Sequence, residues 1–269
     1  MNIISLRYPR HLLFLLLFGP SLFLFNTVAA QIKWPNNKKA AIVLTYDDGL
    51  QSHLDVALGQ LQKHKFKGTF FLTGNIPERN IARWRSASKR GHELANHTLY
   101  HPCSRNAYSN RERLYSENYD VQAILDEIKM MNRFLFLIDG KQRPRSYAYP
   151  CTETKVGGTD YADSLRHYSL VASARVGGDS SSIITKALTD DTMLIPSYAL
   201  SDGTKADAMI RYTKTVQASN GLGIFMFHGI GGDYITVSKE DHAELLRYLA
   251  SNKDIWVTTF AEAVQFISR

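Results

Sequence analysis

His97-Thr98-Leu99-Tyr100-His101 sets two imidazoles four residues apart. On one helical turn, that spacing brings both rings to the same side, an arrangement suited to a transition metal. Pro102 follows at once, so the turn that carries them must be short. Alone, such a pair belongs more often to a core or a surface than to a metal. The adjacent acids of Tyr46-Asp47-Asp48-Gly49 change that weighting. Asp-Asp-Gly is good turn chemistry, and a plain turn is the competing reading. Yet two histidines need a carboxylate to complete a facial ligand set with open positions. A second carboxylate beside it suits a general base acting on water at the metal. The two acids would then have separate jobs. His92-Glu93-Leu94-Ala95-Asn96-His97 imitates a zincin helix, but its histidines are five apart and fail that geometry.

Residues so far apart in the chain need a frame that gathers them. Ala40 to Thr45 is a short run rich in branched side chains, the pattern of a buried strand. Gly68 to Leu72, Glu93 to Asn96, Ser146 to Tyr149, Leu170 to Ala174, Gly223 to Phe227 and Ile255 to Thr258 read as further extended segments. Between them, helical patterns run over Ser52 to His64, Pro77 to Arg90 and Tyr119 to Leu137, the last closed by Asp139-Gly140. Lys205 to Ala218, Ser238 to Ser251 and Ala261 to Ile267 complete the helices. Alternating strands and helices predict a parallel sheet or barrel, with no repeat and no linker to divide it. In such barrels the chemistry sits at the C-terminal strand ends. Asp47-Asp48, His97, Pro150-Cys151, Arg175 and His228 all follow strands, so they are expected at one rim.

The chain has 269 residues, 44% of them hydrophobic, 21% charged, and a formal net charge of +7. Only 25 are Gly or Pro, which excludes a collagen-like or low-complexity chain. The cationic excess is modest and forms no compact Lys/Arg block, so nucleic acid is not an expected partner. Arg7 and Arg10 precede the apolar runs Leu12 to Phe18 and Leu22 to Phe25, and small residues close the segment at Val28-Ala29-Ala30. This reads as a secretory signal over residues 1–30, with residues 31–269 as one catalytic domain working outside the cytoplasm. An uncleaved membrane anchor is the alternative; after cleavage no stable membrane association is expected.

Thr45-Tyr46-Asp47-Asp48-Gly49, His97-Thr98-Leu99-Tyr100-His101 and Phe225-Met226-Phe227-His228, in that order, resemble the successive motifs of the polysaccharide deacetylases. These are the NodB-like domains of carbohydrate esterase family 4. The resemblance spans residues 45–228. It implies a single-domain α/β fold, a distorted (β/α) barrel, and metal-dependent removal of acetyl groups from a polysaccharide or oligosaccharide. Asp47 corresponds to the general base. Asp48, His97 and His101 correspond to ligands of a divalent metal, usually zinc, with cobalt or nickel as alternatives. His228 corresponds to the general acid, and Met226 to an apolar wall of the acetyl pocket.

The third motif departs from the family. Where better known members read Arg-Pro-Pro-Tyr-Gly, this chain has Ala148-Tyr149-Pro150-Cys151-Thr152. The family uses the backbone N–H at the position of Cys151 for the oxyanion, and a backbone donor survives side-chain replacement. The missing arginine matters more, because in the family it pairs with the base. Arg175 on the next strand is a candidate substitute; a structural arginine is the competing reading. The Asp-Trp fourth motif is not found near Ala174-Arg175-Val176. Three functions stay open: an N-deacetylase, an O-acetyl esterase of the acetylxylan kind, and a glycan-binding relative that has lost turnover.

Other residues read as structural: His53, His64 and His92 as satisfied or surface groups, and Tyr100, Tyr108, Tyr115 and Tyr119 as packing after the metal motif, with a glycan-binding loop as the alternative for the tyrosines. Cys103 and Cys151 are the only cysteines. Export leaves one intramolecular pairing between them. Free buried thiols and a thiolate on the metal are the alternatives.

Overall fold

The computed structural model describes residues 32–107, 114–188 and 191–268; the expected signal segment 1–30 and Tyr108 lie outside them. The strands are β1 Ala40–Asp47, β2 Thr69–Leu72, β3 Glu93–Asn96, β4 Arg145–Ala148, β5 Lys155–Val156, β6 Thr159–Asp160, β7 Val171–Val176, β8 Ile183–Ile184, β9 Ile195–Pro196, β10 Tyr198–Ala199, β11 Leu222–Phe227 and β12 Ile255–Thr258. The helices are α1 Leu58–Lys63, α2 Glu78–Lys89, α3 Val121–Asp139, α4 Ala162–Tyr168, α5 Ala206–Ala218, α6 Lys239–Ser251 and α7 Phe260–Ile267. Among the described residues no helix is long and apolar enough to cross a membrane.

One sheet runs in the order β10-β11-β1-β2-β3-β4-β7-β9, with β12 also on β1 and β8 on β11. Every pair along that path is parallel. The path nearly closes on itself. Ile195-Pro196 pairs with β7, while Tyr198-Ala199, one residue further on, pairs with β11. The segment from Ile195 to Ala199 therefore bridges the two ends of the sheet. The result is the distorted (β/α) barrel that the resemblance implied, in one domain.

Strand alternation sorts β1 into two faces. Ile42, Leu44 and Tyr46 pack with Leu61, Trp84, Met209 and Leu245 of the surrounding helices. Ala41 and Val43 pack with Phe71, Ala95, Ala148 and Ile224 inside the barrel. Asp47 continues that odd-numbered series, so the strand itself aims it into the barrel mouth. At the opposite, closed end, the buried Glu93 accepts from Thr69 Oγ1 at 2.8 Å, Ser146 Oγ at 2.6 Å and the Ala261 N–H at 3.0 Å. These bonds satisfy the buried carboxylate and pin the start of α7 beneath β2 and β4.

The expected helices agree with the structure to within two residues at most ends. Ser52 to His64 differs in kind: it opens with a π-helical turn, His53–Ala57, before α1. The β5–β6 hairpin, α4 and the two-residue strands β8, β9 and β10 were not expected. They are too short to leave a hydrophobic period.

Candidate metal centre and acid–base site

Asp47 ends β1 in extended conformation, but Asp48 adopts φ 75° and Gly49 φ 67°. In a continuing strand the two acids would point to opposite faces. The left-handed step at Asp48 breaks the alternation and brings its carboxylate to the same mouth as Asp47. Asp tolerates this region better than most residues, and Gly49 takes it freely.

The histidines arrive differently from the expected helical turn. Residues 97–101 form an irregular bend in which Thr98 has φ 64° and His101 φ 54°. Local polar side chains set that path. Asn96 Oδ1 accepts from the Thr98 N–H at 2.8 Å, and Thr98 Oγ1 accepts from the His101 N–H at 2.9 Å. Such side-chain bonds compete with helix and win here. The rings still converge, with Nε2 of His97 and Nε2 of His101 3.1 Å apart.

Asp48 Oδ1 lies 3.5 Å from each of those two nitrogens. His97 Nδ1–H donates to the Ala148 carbonyl at 2.8 Å, which fixes its tautomer and leaves Nε2 as an acceptor facing Asp48. Three ligand-type atoms separated by 3.1–3.5 Å fit one small divalent cation, since bonds of ~2.1 Å in a tetrahedron give edges of roughly 3.4 Å. Burial pushes the Asp48 carboxyl upward, but the neighbouring His101, His97 and His228 and the hydroxyl of Tyr234 outweigh it and bring it to about 2.

Asp47 is buried, and its two oxygens differ. Arg175 Nη2 donates to Oδ2 at 2.5 Å, whereas Oδ1 has no hydrogen-bond partner among the described residues. Arg175 is itself buried, donates through Nη1 to Ser197 Oγ at 3.0 Å, and lies over the Phe71 ring at 5.0 Å. It is the cross-strand partner of Ala148 in the β4–β7 pairing. The cation absent from the third motif is therefore delivered from the adjacent strand.

His228 follows β11, with Nε2 3.9 Å from Asp48 Oδ2 and Nδ1 buried without a partner among the described residues. Its backbone is held from below: His53 Nε2–H donates to the His228 carbonyl at 2.7 Å. Burial lowers His53 to about 4, so it is a neutral support. Met226 is buried two residues earlier, with Sδ 3.9 Å from Ser197 Oγ. Cys151 sits at φ 49° in the turn after β4 and is bonded to Cys103. The bridge excludes both the free thiols and the thiolate ligand. It ties the loop bearing His101 to the loop bearing Cys151.

Beside Asp48 and His101 opens a cleft of about 300 Å³, bordered by Gln51, Asn75, Arg79 and Tyr234. Two contributors to the site carried no sequence signal used above. Ser197 lies in the bridging segment and reaches Arg175 only through barrel closure. Tyr234 donates to Asp48 Oδ2 at 2.7 Å from a loop 186 residues away.

Residues 35–167 match the family model for polysaccharide deacetylases. That stretch includes both acids and the His97/His101 pair but ends before Arg175 and His228. The chain is 32% identical over 108 residues to the peptidoglycan-N-acetylmuramic acid deacetylase PdaA of Bacillus subtilis, covering 40% of this chain and 36% of PdaA. It is 36% identical over 87 residues to a peptidoglycan-N-acetylglucosamine deacetylase of Bacillus cereus, covering 32% and 39%. The matched segments thus span little more than a third of these relatives. A solved structure from Mycobacterium smegmatis, assigned to the polysaccharide deacetylases, superposes with a TM-score of 0.66 at 17% identity, covering 89% of this chain and 93% of the other.

Proposed function

We propose that the chain, whose residues 35–167 match the polysaccharide deacetylase family model, is an exported, metal-dependent hydrolase that removes N-acetyl groups from a glycan containing N-acetylglucosamine. One observation carries the reading. A base candidate held by a buried arginine, with a free oxygen on Asp47 Oδ1, stands against the Asp48, His97 and His101 donor set.

Asp48, His97 and His101 would hold the ion, zinc by the chemistry of one carboxylate and two imidazoles. When bound, the ion supplies Lewis acidity to the acetyl carbonyl and makes water at the site more acidic. Asp47 Oδ1 takes the proton of the attacking water. Arg175 holds Asp47 in place through Oδ2 and leaves Oδ1 for the water. The Cys151 N–H donates to the oxyanion that develops on the acetyl oxygen. His228 gives a proton to the departing nitrogen, and acetate and a free amine leave. Met226 contributes an apolar wall to the acetyl pocket.

Names of the relatives favour an N-acetylated cell-wall glycan as substrate class. The Cys103–Cys151 bridge supports an extracytoplasmic location, because such bonds persist in oxidising compartments. It accords with residues 1–30 acting as an export signal.

The O-acetyl esterase reading draws on one feature. His228 Nδ1 has no orienting acceptor among the described residues, and an alkoxide leaves with less help from an acid than an amine does. Acetate release by the zinc-loaded chain on matched N- and O-acetylated oligosaccharides separates the two. Release from the N-acetylated set, with His228→Ala losing more on amides than on activated esters, supports the amidase. Release from O-acetylated substrates alone overturns it.

A further inference from the structure

The two oxygens of Asp48 face different neighbours. Oδ1 stands 3.5 Å from His97 Nε2 and His101 Nε2. Oδ2 accepts from the Tyr234 hydroxyl at 2.7 Å. Nothing in β1 or the histidine loop accounts for that second bond; it comes from the segment after β11.

That segment is built to hold position 234. Ser52 anchors it twice: its N–H donates to Asp233 Oδ2 at 2.8 Å, and its Oγ accepts from the Ile230 N–H at 3.1 Å. The Gly229 N–H donates to the Tyr234 carbonyl at 3.0 Å, and the Val237 N–H to the Gly229 carbonyl at 2.9 Å. A side chain at position 229 would meet the Gly232 carbonyl at 2.1 Å, so only glycine permits this fold of the loop. Tyr234 is flanked by two left-handed residues, Asp233 at φ 63° and Ile235 at φ 46°. A β-branched residue avoids that region, and its presence there means the surroundings impose it. The ring of Tyr234 stands 6.1 Å from that of His228 and borders the cleft beside Asp48 and His101.

We propose that Tyr234 is a positioning residue of the metal centre: its hydroxyl fixes Asp48 Oδ2, so that Oδ1 alone is presented beside His97 and His101. This rests on the metal reading given above. A carboxylate ligand free to rotate alternates between one-oxygen and two-oxygen binding and closes a position that substrate needs. A hydrogen bond to its outer oxygen removes that freedom, as outer partners of metal ligands commonly do.

Tyr234→Phe keeps the ring and deletes only the hydroxyl. With zinc alone as probe and a competing chelator as reporter, the full chain carrying this change should bind zinc about 10–100-fold more weakly than the unaltered chain. The absorption spectrum of the cobalt-loaded variant should change, and kcat should fall while KM stays within about twofold. Thermal unfolding should be unmoved, as expected for a half-exposed side chain. Zinc affinity within twofold of the unaltered chain, with a superimposable cobalt spectrum, overturns the inference. Asp48→Asn distinguishes the two levels. If the unaltered chain binds zinc in an Asp48-dependent way and Tyr234→Phe matches it, only the role of Tyr234 falls. If the unaltered chain binds no zinc, the metal reading falls and takes this inference with it.

Discussion

Ala148 and Arg175 are cross-strand partners in the parallel β4–β7 pair, and the Arg175 guanidinium reaches Asp47 Oδ2. The small side chain at 148 lines the barrel interior, and the large one beside it carries the charge. Because the two positions are neighbours on one inward face, a cation can be moved between strands without moving its target. Arg175→Ala strands a buried carboxylate, which typically costs 3–5 kcal/mol, and turnover should collapse with it. Adding Ala148→Arg to that variant should recover part of both losses. Denaturant midpoints and kcat/KM of the single and double variants measure this. A double variant no better than Arg175→Ala would mean that position 148 cannot serve Asp47.

Metal binding and proton transfer should separate cleanly between the adjacent acids. Asp47→Asn should retain stoichiometric zinc yet lose about 10²–10⁴-fold in turnover, the usual contribution of a general base. His101→Ala, by contrast, should lose the zinc itself. Elemental analysis after gel filtration, paired with acetate release, checks both. Full zinc in His97→Ala and in His101→Ala would move the metal elsewhere.

The denatured, unreduced chain should show no free thiol. Opening the Cys103–Cys151 bridge, which spans 48 positions, removes a cross-link worth ~4 kcal/mol in the chain-entropy model. The Cys103→Ser/Cys151→Ser variant should therefore unfold at lower denaturant. Its activity should fall further than its folded fraction, because the Cys151 turn loses its tether to the His101 loop. Equal activity per folded molecule would confine the bridge to stability.

Burial lowers His53 and His92 to about 4 and His242 to about 3. Unfolded histidine titrates near 6.5. Between roughly pH 4 and 6.5 the unfolded chain binds protons that the folded chain refuses. Stability is thus fully present above about pH 6.5 and declines as the pH falls, by up to about 1.4 kcal/mol per unit for each histidine. The urea midpoint should drop between pH 7 and pH 5. His242 accepts from the Tyr46 hydroxyl and donates to Gln60 Oε1, so His242→Gln should lower stability at pH 7 while flattening the decline. A midpoint constant over that range would contradict the burial of these neutral rings.

The Asp47-Asp48 pair and the His97/His101 spacing could be singled out from residue type, and Asp47-Asp48, His97 and His228 from their place after strand-like runs; the roles given to them came from the motif resemblance. The alternation of strands and helices of ordinary length left a parallel sheet or a barrel open, and the motif resemblance implied the barrel. What the tertiary structure alone decided depends on distant segments meeting. Arg175 was one candidate among competing readings until strand register set it beside Ala148 and over Phe71. Ser197 matters only because the Ile195 to Ala199 segment joins the two ends of the sheet. Tyr234 sits 186 residues from the carboxylate it holds, and no local period announces it. Even the histidine bend escaped the pattern: spacing of four suggested a helical turn, but the Asn96 and Thr98 side chains claimed the backbone N–H groups and turned it left-handed. Periodicity reports which face of an element is buried, whereas register, loop path and side-chain bonds report what that face meets, and only the folded chain determines these.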